Sequence, residues 1–381
     1  MHLGGLGMAL INIRLGDYIE RSTENNSDLK YGEELITGVN SSGVFASPKG
    51  STLGVDLKPY KIVHNGAFVY NPTRLDLGSL AYRTEGLCIV SHLYMIFYLT
   101  EEGKKIIDPQ WLYIYFHRDE FKREVTFRNF GSQRPEFNFN DMSDIIIPLP
   151  DIQIQRKFVG IYNAMVANQE CYERGLEDIK LACDAYIDNL ANCKYEKIGK
   201  YIERNKKKNQ EKIFKKSDVK GFNNNGQFIE PMRLFSGDIE TFKIITQKDF
   251  VYNSRINATI DRLSVALNEG EDLIVSPAYE SFFVCKEDEL HPFYLYMLLQ
   301  RHSFARKVLF NSFGSSTVVF GIDELSEMEI SIPDIDIQKD ISLIYKSYKE
   351  RWAINERLKA QIKDICPILI KGSIEEARKG A

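Results

Sequence analysis

The 381-residue sequence is short of the residues and strings that most catalytic and redox sites require. Its six cysteines (Cys88, Cys171, Cys183, Cys193, Cys285 and Cys366) form no CxxC pair and have no histidine at metal-ligand spacing. That excludes a zinc ribbon and argues against a disulfide framework, so the expectation is reduced, largely buried thiols. The six histidines (His2, His64, His92, His117, His291 and His302) fall into no pattern with a nucleophile or a carboxylate. No GxxxxGK[ST] phosphate loop and no GxGxxG fingerprint occurs, which removes the signatures of a nucleotide-driven motor and of a dinucleotide enzyme. No segment approaches the ~18 uninterrupted apolar residues of a membrane span, and Met1 to Leu10 lacks the charge and apolar run of a signal peptide. The expectation is therefore a soluble cytoplasmic protein, with Met1 to Gly7 left out of the fold reading.

Two further strings look catalytic and are not read so. Asn71-Pro72-Thr73-Arg74 and Asp108-Pro109-Gln110-Trp111 resemble only superficially the Asn/Asp-Pro-Pro-aromatic clamp of an amino-methyltransferase. Pro150-Asp151 with Asp178-Ile179-Lys180 spells a metal-nuclease motif, but lies along a stretch of helical spacing that would separate the groups by about 40 Å.

What is present is repetition. An offset of about 183 residues recurs through the chain. Leu15-Gly16-Asp17-Tyr18-Ile19-Glu20-Arg21 matches Ile198-Gly199-Lys200-Tyr201-Ile202-Glu203-Arg204, and Gly38, Asn40, Gly43, Phe45 and Pro48 match Gly221, Asn223, Gly226, Phe228 and Pro231. After a one-residue slip, Phe68-Val69-Tyr70-Asn71 matches Phe250-Val251-Tyr252-Asn253. The register returns at Phe130-Gly131-Ser132 against Phe313-Gly314-Ser315, and closes at Pro150-Asp151-Ile152 against Pro333-Asp334-Ile335. An ordered series of this length implies a duplicated unit. The stretch from Phe116 to Asn129 against Phe304 to Ser312 looks the least alike, and is expected to carry the specialised surface.

Each unit has two parts. The first alternates short apolar runs with Gly, Asn and Pro, and reads as strands, for example at 60–63, 67–70, 88–98, 242–245 and 250–252. Helical spacing follows over 109–121 and 292–309, each entered through a proline. The second part places apolar residues at alternating three and four spacing. In half one these are Ile154, Phe158, Ile161, Met165, Tyr172, Ile179, Tyr186 and Leu190; in half two, Ile337, Ile341, Ile344, Tyr348, Leu358, Ile362, Ile365 and Leu369. Two long helices are predicted, each about 50 Å, with Asn168 and Asn355 on their seams. The fold class is α+β: two similar domains at 11–150 and 194–333, each followed by a long helix at 151–193 and 334–375. The helices are expected to pair as an antiparallel coiled coil in a pseudo-two-fold repeat.

The net charge is −4 and unevenly distributed. From Lys194 to Glu230 there are 11 basic and 5 acidic residues, including Lys206, Lys207 and Lys208, whereas 160–190 carries 6 acidic and 2 basic. The first segment suits phosphates; the second suits a protein. Arg, Gln, Asn and Ser in loops are the side chains that read base edges. The candidate DNA-binding residues are Asn71 and Arg74 with Asn253 and Arg255, then Ser132, Gln133 and Arg134 with Ser315, Ser316 and Thr317, and the three lysines 206–208. A turn or surface role remains the alternative for each.

This layout resembles the specificity subunits of Type I restriction-modification enzymes. The resemblance is carried by Phe130-Gly131-Ser132 ahead of Ile147-Pro148-Leu149-Pro150 and Ile154-Gln155-Arg156-Lys157, and by their repeats Phe313-Gly314-Ser315, Ile330-Ser331-Ile332-Pro333 and Ile337-Gln338-Lys339. Where that family usually has Glu-Gln after the proline, Ile-Gln stands twice here. The resemblance implies two target recognition domains that read a bipartite sequence in double-stranded DNA. It implies helices that space them and dock two methyltransferase (M) subunits and, through these, restriction (R) subunits. It further implies no catalytic residue and no metal site on this chain, with S-adenosylmethionine, ATP and magnesium bound by the partners. From the residues alone, a single-chain methyltransferase or nuclease fragment and a protein-binding scaffold stay open as alternatives.

Overall fold

The computed structural model describes residues 10–48, 50–129, 136–190, 193–231, 237–257, 262–311 and 317–379. The elements that matter here are, in chain order, β1 (Ile11–Arg14), β2 (Ile19–Ser22), β3 (Lys61–Val63), β4 (Phe68–Tyr70), β5 (Leu80–Tyr82), β6 (Cys88–Val90), β7 (Met95–Leu99), α1 (Pro109–Phe116), α2 (Asp119–Arg128), β8 (Ile146–Leu149) and the long α3 (Ile152–Asp188). The repeat supplies β9 (Lys194–Lys197), β10 (Ile202–Arg204), β11 (Lys243–Ile245), β12 (Phe250–Tyr252), β13 (Arg255–Asn257), β14 (Val265–Leu267), β15 (Leu273–Val275), β16 (Glu280–Val284), α4 (Pro292–Gln300), α5 (His302–Asn311), β17 (Thr317–Val319), β18 (Glu329–Ile332) and the long α6 (Ile335–Lys379).

The chain divides into two compact units, one of residues 1–173 with 354–381, the other of 174–353. Each long helix thus contributes a length to both. The two units are built alike. In the first, an antiparallel four-stranded sheet runs β2-β7-β4-β5; in the second, β10-β16-β12-β14. A two-stranded ladder β1-β8, or β9-β18, closes the domain just before its long helix.

The matched Phe-Val-Tyr runs are the centre strands, and their alternation decides the packing. Phe68 and Tyr70 face the main core under Trp111, Leu112 and Phe116, while Val69 faces a smaller core with Val63 and Val90. Phe250 and Tyr252 with Leu295 and Tyr296, and Val251 with Ile245 and Val275, repeat the scheme. Cross-strand rings stack in both, Phe68 on Phe97 at 5.0 Å and Phe250 on Phe282 at 4.6 Å between centroids. Such pairs add about 0.5–1.5 kcal/mol beyond burial.

Several repeated residues are explained by close approach. A Cβ on Gly16 would lie 2.7 Å from Ser143 Cβ and 2.9 Å from its carbonyl oxygen; on Gly199 it would lie 2.8 and 3.0 Å from the same atoms of Ser326. Gly43 and Gly226 have φ of 75° and 73° in tight turns, where Asn40 Oδ1 accepts from the amides of Ser42 and Val44, and Asn223 Oδ1 from those of Asn225 and Gln227. Gly16→Ala or Gly199→Ala is expected to cost about 1–3 kcal/mol through overpacking against backbone. Thermal unfolding checks this, and an unchanged midpoint would contradict the close approach.

The helices differ in detail from the sequence expectation. The segments 109–121 and 292–309 are each two helices. Asp108 caps α1 by accepting from the amides of Gln110 and Trp111, and the chain breaks at His117 before α2 begins; α4 and α5 break at Arg301. The predicted strand 88–98 is likewise two, parted by a turn in which Tyr94 N–H donates to Ser91 O. The long helices exist, 37 and 45 residues, and pack together antiparallel. Within the first unit Lys157 pairs with Glu376 at 2.7 Å and Glu173 with Lys359 at 2.8 Å.

On α6 the predicted Ile341 and Leu369 are buried, whereas on α3 the most buried positions lie beside the predicted ones. On α3 the buried residues are Gln155, Val159, Gln169, Leu176, Cys183 and Ile187, while Ile161 and Tyr186 are exposed. Asn168 is exposed; its neighbour Gln169 donates from Nε2 to Oδ1 of the buried Asn355 at 3.0 Å. Of the two seam asparagines expected, only Asn355 is one.

Candidate nucleic-acid interface

The signature glutamines build the joint on which each domain rests. Gln155 and Gln338 are fully buried on the first turn of α3 and α6. Gln155 Oε1 accepts from the Asp108 amide at 2.8 Å, and its Nε2 donates to the carbonyls of Ile106 at 2.8 Å and Pro150 at 2.7 Å. Gln338 accepts from the His291 amide and donates to Glu289 and Pro333, all at 2.8 Å. One side chain thus clips the strand exit, the helix start and the entry to α1 or α4. The glutamine is therefore structural, and the Ile in place of Glu before it leaves these contacts untouched.

The matched asparagines form turns. Asn71 Oδ1 accepts from Thr73 N at 3.1 Å and Thr73 Oγ1 at 2.9 Å; Asn253 Oδ1 accepts from Arg255 N at 3.0 Å. Asn71 Oδ1 thus accepts two bonds within its turn and Asn253 Oδ1 one. Arg74 and Arg255 stand exposed beyond these turns, and neither has an ion-pair partner among the described residues. Arg255 lies opposite Val319 in the β13-β17 ladder, which also pairs Asn257 with Thr317.

The turns and the candidate reading loops are tied together. Phe137 N–H donates to Pro72 O at 3.0 Å, and Phe320 N–H to Ser254 O at 2.7 Å. The chain leaving each Phe-Gly-Ser segment is thereby docked on the turn that carries the arginine. Ser132, Gln133, Arg134, Ser315 and Ser316 lie outside the described residues; Thr317 is placed only by its backbone in β17.

The three lysines are exposed on a segment braced from below. Asn205 is buried, donates to Ile244 O at 2.8 Å and Asp249 Oδ2 at 2.9 Å, and accepts from the Lys207 amide at 2.9 Å. Burial raises the Asp249 carboxyl, while the amide and hydroxyl of Thr246 donate to it and hold its charged form. Lys207 O accepts from Ile244 N–H, and Lys208 bridges to Lys243 on β11. Not every lysine nearby is available. Lys212 pairs with Glu240 at 2.5 Å and Lys220 with Glu230, while burial lowers the Lys243 ammonium, which donates to Tyr279 O.

The matching segment of the first unit lacks this charge. Residues 11–47, in register with 194–230, carry 3 basic and 6 acidic residues, and Thr23, Glu24 and Asn25 stand where the three lysines are. Arg118, further along the first unit, stacks over the Tyr115 ring at 3.7 Å and donates to Tyr115 O.

Among the described residues no group of three or more His, Cys, Asp or Glu is placed to hold a metal ion, and no helix is long and apolar enough to cross a membrane. Burial holds the His117 imidazole down at about 4, hydrogen-bonded through Nδ1 to Tyr113 O at 2.8 Å; it belongs to the core of its unit.

No curated protein matches the chain. Among solved structures, the S subunit of a type-I restriction-modification system from M. genitalium is similar with a TM-score of 0.55, at 10% identity over 98% of both chains. The HsdS subunit from Thermoanaerobacter tengcongensis is similar over 96% of both chains at 14% identity with a TM-score of 0.37. A chain from a type I R-M system assembly is similar over 99% of this chain and 98% of its own, at 14% identity with a TM-score of 0.46. The model of the Type I restriction modification DNA specificity domain matches twice, at residues 11–176 and 168–364, so the chain belongs to that family and carries two of its domains in tandem.

Proposed function

We propose that each unit reads one half of a bipartite DNA target and that the chain does no chemistry itself. The observation that carries this is the duplication of a whole recognition domain in one polypeptide, with the two copies differing in surface charge. Two unlike readers on one chain address an asymmetric split sequence, with the base pairs between the halves unread. Base readout falls to the loops after each Phe-Gly-Ser and to Arg74 and Arg255; phosphate anchoring falls to Lys206, Lys207 and Lys208. Adenine methylation and cleavage belong to partners, two M subunits docked on the helices and R subunits held through them, in the cytoplasm. S-adenosylmethionine, ATP and magnesium act on those partners. Methylation by the purified chain alone would instead favour a single-chain enzyme.

Exchanging residues 11–150 for the corresponding domain of a homologue is expected to change one half of the methylated motif and leave the other half intact. Single-molecule sequencing of modified adenines in host DNA reads this directly. A motif that changes in both halves, or in neither, would count against one domain per half-site.

A further inference from the structure

The helix before each Phe-Gly-Ser segment carries the same feature in both halves. α2 and α5 coincide at the 183-residue offset end to end, and the stretch expected to diverge most proves to share the pattern Phe-x-Arg-x-Val-x-Phe-x-x-Phe-Gly-Ser. Phe121 and Val125, like Phe304 and Val308, are buried and seat the helix. The next phenylalanine does not follow them inward: Phe127 is 81% exposed and Phe310 73%. Arg123 and Arg306 stand one turn earlier on the same outward face.

A single exposed apolar side chain needs no explanation. A ring mostly exposed at the same position of two separately packed domains, each time with an arginine one turn away, does. Its surroundings indicate the partner. α5 has no acidic residue, and Ser303, Arg306, Lys307 and Phe310 line an open groove of about 570 Å3. α2 is balanced instead, with Arg123 3.5 Å from Glu120 and Arg128 2.8 Å from Glu124. An aromatic ring on a cationic face is suited to a polyanion that also offers apolar base surface.

We infer that Phe127 and Phe310 are DNA contacts, each pressing its ring on the bases of the half-site its own unit reads, while Arg123 and Arg306 engage the flanking phosphates. This rests on the DNA-specificity reading and adds the residues through which each unit grips the bases without hydrogen bonds. Either a base step or a thymine methyl offers the apolar surface, and the test separates the two.

The experiment uses the full chain assembled with its modification subunits and a duplex bearing the mapped target. Phe127→Ala and Phe310→Ala are each expected to weaken binding about tenfold with an unchanged salt slope, whereas Arg306→Gln lowers the slope by about 1. Phe310→Trp retains affinity. A 2-aminopurine signal that rises with the unsubstituted protein and not with Phe310→Ala marks a base step; weakening on thymine-to-uracil exchange marks a methyl. Both rings are exposed, so the alanine variants fold, which unfolding midpoints verify. Equal affinity of the alanine variants would overturn the inference. So would failed assembly with the modification subunits at unchanged DNA affinity, which would assign this face to protein. An unsubstituted complex that does not distinguish the target from a scrambled duplex would sink the DNA reading itself, an outcome separable from both.

Discussion

Gln155→Leu is expected to destabilise the first unit, and Gln338→Leu the second, by about 3–5 kcal/mol each. Leucine fills the space but supplies none of the three hydrogen bonds, leaving one amide and two carbonyls without their partner. A buried polar group left unsatisfied costs about 1–3 kcal/mol, and three neighbours do not add fully. Against a typical domain stability of about 5–15 kcal/mol this is a large fraction. Hydrogen exchange locates the effect: the Asp108 amide opens in the first variant and the His291 amide in the second. Gln155→Glu sharpens the test. A carboxylate still accepts from Asp108 but faces the carbonyls of Ile106 and Pro150, so its folded pKa rises above the unfolded value. The folded state then binds the proton more tightly, and the stability of this variant improves as pH falls and is lost as pH rises. Unfolding midpoints of either leucine variant that match the unsubstituted protein would show that the clip carries no weight.

Those glutamines also show where sequence reading stops. The repeat, the α+β domains and the two long helices were all legible, because an ordered series of matches and a heptad spacing survive on sequence alone. On the first long helix the apolar spacing points to the neighbouring stripe, because two of that helix's buried positions are Gln155 and Gln169, polar residues whose partners come from elsewhere in the fold. Phe158, Met165 and Tyr172, which suggested the neighbouring stripe, are half-buried on its flank. The role of the signature glutamine is not legible, since nothing local reveals that it reaches residues 47 and 49 positions back. Residue type alone nominates Arg74, Arg255 and the three lysines, and the structure adds that all five are exposed. The same rule nominates Asn71 and Asn253, whose side-chain oxygens also bond the backbone of their own turns. Phe127 and Phe310 are not legible from sequence because an apolar residue in a helix ordinarily belongs to the core, and only its direction separates it from Phe121 and Phe304. The one sequence signal for them is the match of Arg123 with Arg306 in register.

Replacing Lys206, Lys207 and Lys208 together by glutamine is expected to weaken DNA binding by about a hundredfold at low salt and to flatten the slope of log K against log salt by about 3. The chain should fold as before. The segment is held by Asn205 and by the backbone of Lys207, not by the ammonium groups, which are exposed. Because phosphate contacts position a protein without reporting sequence, the methylated motif should stay the same while its modification slows as salt rises. Hydroxyl-radical protection should fade at the half-site read by the second unit and persist at the first, where Thr23, Glu24 and Asn25 provide no equivalent charge. Glu24→Lys in the first unit should act oppositely, strengthening binding and steepening the slope by about 1. An unchanged affinity and salt slope in the triple variant would place the lysines off the DNA. The basic segment would then be a solvated surface, and the charge asymmetry of the two units would bear on assembly and not on reading.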